Sequence, residues 1–135
     1  MERSKEFDVV DRPKHYNSHP SGFEAIELCE YMTFNMGNAT KYVWRAGLKN
    51  DEVEDLKKAL WYVEREDKRH LLINKLPLEE RPLPTRGSEL LLRVLMAKVA
   101  AADTGVLGKL FRSDRLKEWK EILVSEIETR EARKE

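Results

Sequence analysis

The 135-residue chain contains a single cysteine, Cys29, so it can form no internal disulfide, which fits a reducing compartment. It also lacks net charge, since 25 Lys and Arg are balanced by 25 Asp and Glu. No global field draws it onto nucleic acid or an anionic membrane, and any anion must be met by a local cluster. No uninterrupted apolar run is long enough to span a bilayer, and the opening MERSKEFDVVDRPKHYN has no apolar h-region. The expectation is a cytoplasmic chain without a membrane partner. A GxxxxGK[ST] sequence is absent, which excludes a conventional P-loop kinase at the level of motif. Strand-like alternation and internal repeats are absent as well.

What remains is a composition that folds. Hydrophobic residues make up 41% and charged residues 37%, far from the signature of disorder, and the length suits one domain. Residues 1–20 carry Pro13, Pro20 and two histidines without a helical period, and are read as an extended arm. FEAIELCEYM then suits a helix, with Phe23 and Ile26 inward and Leu28 and Tyr31 as further inward candidates. A second helix is expected from about Asn35 to Ala46, closed by Gly47. A third starts at Asp51, which with Glu54 matches a capping box, and runs to about His70 on Val53, Leu56, Leu60 and Val63. Residues 21–76 thus form one helical unit, and the three prolines of residues 77–87 mark a linker. From residue 88 onward, Ser88 is the expected N-cap of a helix so apolar all round that it should be central or lie in a subunit interface. After TGVLG, a last helix begins near Ser113 or Asp114, with Leu116, Trp119, Ile122, Leu123 and Ile127 on one side. The expected fold is all-α, a small bundle of about five helices, with residues 88–135 packing on the core or building an oligomer interface.

Polar residues form a pattern of their own between Asn38 and Tyr62. At about 100° per residue, Asn38, Lys41, Tyr42, Arg45 and, with continued helix, Lys49 share a sector of roughly 100°, while Ala39, Val43 and Trp44 lie opposite. Asp55, Lys58 and Tyr62 share a sector at the edge of the next helix's apolar stripe. The short GLKN connection makes these two helices antiparallel neighbours, so the two stripes can meet. Arg offers a fork to phosphate oxygens, Lys a mobile point charge, Asn an amide for base or sugar, and Tyr a ring to stack on. The competing reading pairs Asp55 with Lys41 or Arg45 across the hairpin and leaves Lys58 in water.

Other candidates are weaker in pattern. His15 and His19 have a spacing that suits two metal ligands on a helix, but Pro20 and Gly22 argue against a helix there. His15 beside Tyr16 can instead act as an acid, a base or a phosphate contact. Glu27 with Glu30, and Glu52 with Asp55, form two i, i+3 pairs that resemble the ExxE and ExxD magnesium sites of all-α nucleoside triphosphate pyrophosphohydrolases. Acids at a helix N-terminus are also favoured by the dipole alone.

HYN, GFEAIE, GN-x-x-KY-x-x-R-x-x-x-K and EDLKKA-x-WY, in this order, resemble a family of small bacteriophage proteins long classed as a domain of unknown function, which includes the nucleotide kinase of a lytic coliphage. The resemblance spans about residues 12 to 67 and does not extend from Leu71 onward. It implies that His15, Tyr16, Asn17, Gly22, Glu24, Gly37, Asn38, Lys41, Tyr42, Arg45, Lys49, Glu54, Asp55, Lys58 and Tyr62 occupy the family's motif positions. It further implies a protein of the infected host's cytoplasm that binds a nucleotide.

Three functions follow as expectations. The first is a non-P-loop deoxynucleoside monophosphate kinase: Lys41, Arg45 and Lys58 hold phosphates, His15 sits near the transferred group, and Asp55 orients a cation, with Mg²⁺ a possible cofactor. Its substrate contacts are Tyr16, Asn17, Glu24, Asn38, Tyr42, Lys49 and Tyr62. The second is a non-catalytic homo-oligomer that sequesters a nucleotide or cyclic nucleotide signal. The third is the magnesium-dependent pyrophosphohydrolase, with Glu27, Glu30, Glu52 and Asp55 as ligands.

Overall fold

A computed structural model describes residues 19–48, 51–82 and 86–134, without the side chains of residues 86–88. Among the described residues there is no strand. Six α-helices follow one another among these residues: α1 (Ala25–Cys29), α2 (Phe34–Arg45), α3 (Glu52–Asn74), α4 (Arg86–Ala101), α5 (Val106–Phe111) and α6 (Leu116–Arg133). The all-α expectation holds, and none of these helices is long and apolar enough to cross a membrane.

Helix starts explain most of the order. Glu24 caps α1 in a reciprocal box with Glu27, whose carboxylate accepts the Glu24 N–H at 2.9 Å. Thr33 caps α2 by accepting the Met36 N–H. Asp51 caps α3 as expected, accepting from Val53 at 2.8 Å and Glu54 at 3.2 Å. Gly47 closes the second helix region at φ +83°, a left-handed conformation that glycine adopts without a Cβ penalty.

Several expectations are corrected. Only five residues of FEAIELCEYM are α-helical, so the inward face falls on Ala25 and Leu28, while Ile26 is 59% exposed and Tyr31 is exposed too. Ser88 does not cap α4, because that helix already begins at Arg86. The linker holds a 3₁₀ turn, Leu78–Glu80. α3 runs past His70 to Asn74, since nothing interrupts its hydrogen bonding before Pro77. The extra helix, α5, arises where TGVLG reads as a break. There Asp103 accepts the N–H groups of Gly105 at 2.7 Å and Gly108 at 3.1 Å, supplying partners for a helix start that has no cap of its own.

Pairings between α2 and α3 run in opposite senses: Arg45 meets Asp55, Tyr42 meets Tyr62, and Thr33 meets Glu66. The two helices are therefore an antiparallel hairpin. α6 lies along α3, with Arg130 on Glu52 at 2.9 Å and Lys120 on Asp67 at the other end. Leu28, Leu56, Leu110 and Leu123, from α1, α3, α5 and α6, meet as the fully buried centre, and each contributes on the order of 1.5–3 kcal/mol. α4 is not central. It buries Val99 and Ala100 and leaves Leu90, Leu91 and Val94 exposed.

Candidate functional site

The α2–α3 hairpin gathers the residues of the polar stripe around one ring. Tyr42 has the Arg45 guanidinium carbon 4.5 Å from its centroid, the Lys41 ammonium at 4.8 Å and the Lys58 ammonium at 5.5 Å. On the side of α3, the Tyr62 ring stacks on Tyr42 with centroids 5.9 Å apart and 15° between planes. Each cation gains from the ring quadrupole, while the three repel one another. An anion placed among them relieves that repulsion, and phosphate presents oxygens to all three.

Two carboxylates set the cations' positions. Asp55 is 0% exposed, and its Oδ1 lies 3.5 Å from Arg45 Nη2, with Arg45 itself only 9% exposed. Its Oδ2 is buried without a hydrogen-bond partner among the described residues. A buried carboxylate is costly unless a cation compensates it, so Asp55 fixes the guanidinium against Tyr42. Glu54, rather than closing a capping box, meets Lys58 one turn later at 3.1 Å. Lys41 has no ion-pair partner among the described residues.

Other predicted residues have different surroundings. Asn38 donates an amide N–H to the Phe34 carbonyl at 2.8 Å, so part of its hydrogen-bonding capacity is engaged by its own helix. Glu24 serves α1 as its N-cap. His15, Tyr16, Asn17 and Lys49 lie outside the described residues. Burial pushes the Cys29 thiol up to about 12, against a smaller pull from nearby Lys41.

Sequence reasoning passed over Phe34 and, although Trp61 stands in the quoted EDLKKA-x-WY motif, gave it no role. Phe34 meets the Tyr62 ring edge-on at 6.2 Å and Trp61 does so at 5.0 Å, extending the aromatic group along the hairpin. The signal was available for Phe34, which precedes Asn38 by four residues and so shares its face.

The carboxylates weighed as magnesium ligands are not gathered. Glu27 closes the α1 cap, Glu52 pairs with Arg130, and Asp55 is turned to Arg45. Among the described residues no three His, Cys, Asp or Glu side chains come together to hold an ion. His19 is tied instead to Asp103 at 2.7 Å and to the Ser21 hydroxyl at 2.7 Å, and its ring lies 5.0 Å from that of Trp44. A cavity of about 490 Å³ opens elsewhere, between Met36, α4 and the start of α6, and none of the predicted site residues lines it.

Comparison with known proteins adds one finding. Residues 10–64 match the family DUF3310, described as a protein of unknown function. The matched stretch holds α1, α2 and the start of α3, and it ends two residues beyond Tyr62, so it contains every member of the cluster around Tyr42. No curated protein and no solved structure matches the chain.

Proposed function

We propose that the face of the α2–α3 hairpin binds the phosphate of a nucleotide, and that the chain is a bacteriophage deoxynucleoside monophosphate kinase without a P-loop. The observation that carries this reading is the convergence of Lys41, Arg45 and Lys58 within 5.5 Å of the Tyr42 ring centroid. In the reaction, an oxygen of the monophosphate attacks the γ-phosphorus of ATP. A new P–O bond forms, the bond to the β-phosphate oxygen breaks, and ADP departs with that electron pair. Such a transfer needs alignment and charge compensation more than covalent help, so a helical cluster of cations is chemically sufficient.

Arg45, braced by Asp55, supplies a fixed fork. Lys41 and Lys58, on the rim, follow the moving charge. Tyr62, with Tyr42, offers a stacking surface, Asn38, Tyr16, Asn17, Glu24 and Lys49 remain proposed substrate contacts, and His15 remains the group proposed to sit near the transferred phosphoryl. Mg²⁺ would accompany ATP rather than reside in the protein.

The direct test is conversion of dTMP or dGMP to the diphosphate with ATP. The reading expects turnover that Lys41→Ala lowers by at least about tenfold, the effect of one lost charge-assisted contact. Unchanged turnover in that variant would remove Lys41 from the reaction.

A second reading, binding without catalysis, is favoured by one observation: Lys41, Arg45 and Lys58 gather around a single ring, Tyr42, which suits one phosphate group. Ligand recovered intact after prolonged incubation with ATP would support it.

A further inference from the structure

The aromatic residues beside the cation cluster are more exposed than packing alone explains. Phe34 is 77% exposed and Trp61 is 59% exposed, yet both rings meet Tyr62, which stacks on Tyr42. Large apolar rings that stay in water beside a concentration of positive charge are informative, because burial would gain each of them a few kcal/mol. Phe34 opens α2 and holds its place through the Thr33 cap, so its position is set by the helix start and not by packing of its own side chain. Trp61 and Lys58 lie about 60° apart around α3, one turn from each other, so ring and ammonium border the same strip of surface.

We infer that Phe34 and Trp61 are a base-stacking platform, making this a site for a base-bearing nucleotide as opposed to inorganic phosphate or a sugar phosphate. The inference rests on the proposed phosphate site, and names what lies next to it. Charge complementarity selects the ligand's anionic end at Tyr42, and the neighbouring rings select a flat, polarisable partner. Every nucleobase presents such a face, and stacking on aromatic side chains is tolerant of which base it is. Purines, with the larger face, are expected to bind more tightly than pyrimidines.

Tryptophan fluorescence tests this on the full chain. Trp44 and Trp119 are buried, so quenching by acrylamide reports chiefly on Trp61. Saturating dGMP should lower the quenching constant by about half or more, inorganic phosphate at matched ionic strength should leave it unchanged, and Phe34→Ala should weaken dGMP by at least about fivefold with phosphate affinity intact. Should dGMP and inorganic phosphate bind equally, with Trp61 still fully quenchable, the platform is refuted while the phosphate site stands. Absence of binding by either ligand defeats the phosphate site, and the platform with it.

Discussion

Arg45 and Asp55 face each other across the α2–α3 hairpin, ten residues apart in sequence and 3.5 Å apart at Nη2 and Oδ1, both out of water. The carboxylate fixes the direction of the guanidinium, and the guanidinium compensates the carboxylate. Removing the acid therefore affects fold and site together. Asp55→Ala should lower stability by about 3 kcal/mol in urea unfolding, the cost of breaking a buried pair, whereas Asp55→Asn should cost less.

Lys41 should separate from that behaviour. It lies at the rim and makes no ion pair among the described residues, so Lys41→Ala should change stability by no more than about 0.5 kcal/mol. Nucleotide binding by the unsubstituted protein should weaken with added salt, because the contacts are partly solvated, and the Lys41→Ala variant should show a shallower salt dependence. Titrations at two ionic strengths check both statements.

Much of the hairpin could be read from the sequence, because its causes are local. The sector of Asn38, Lys41, Tyr42 and Arg45 follows from helical period, and Asp51 and Gly47 mark where α3 starts and the second helix region stops. The reading of Asp55 as a partner of Arg45 was also available, and the structure has that contact together with the converging cations. Ile26 and α5 were misread for reasons that are not local. α1 is too short for its period to fix a face, and α5 depends on Asp103 bonding to N–H groups two and five residues ahead. Phe34 and the motif residue Trp61 were assigned no role because large rings in a helix are ordinarily core, and only tertiary structure reveals that these stay in water.

Acid should unfold the chain through identifiable carboxylates. Burial raises the Glu66 carboxyl, but hydrogen bonds from Arg69 and Thr33, each 2.5 Å, and from Asn35 outweigh it and hold the group below its ordinary range. Asp103 is likewise lowered, burial being outweighed by His19, Gly108 and Gly105. A carboxyl whose folded value is depressed contributes fully above its unfolded value of about 4, and loses that contribution as pH falls through the folded value. Stability should therefore decline from about pH 5 toward pH 3, and Glu66→Gln should flatten the decline. Urea midpoints across that range measure it.

Gly108 gives a test of the fold that does not involve charge. A Cβ at that position would lie 2.1 Å from the Asp103 carbonyl oxygen, which belongs to backbone and cannot swing aside. Gly108→Ala should therefore destabilise by about 1–3 kcal/mol or more, despite the better helix propensity of alanine. A thermal melt should record a clear fall in midpoint.

Calorimetric titration of dGMP into the unsubstituted protein, into Lys41→Ala and into Lys58→Ala tests the proposed site most directly. Saturable one-site binding, weakened about tenfold or more by either substitution, is the predicted result. Absence of heat and of saturation in the unsubstituted protein, or equal affinity in all three, would contradict it.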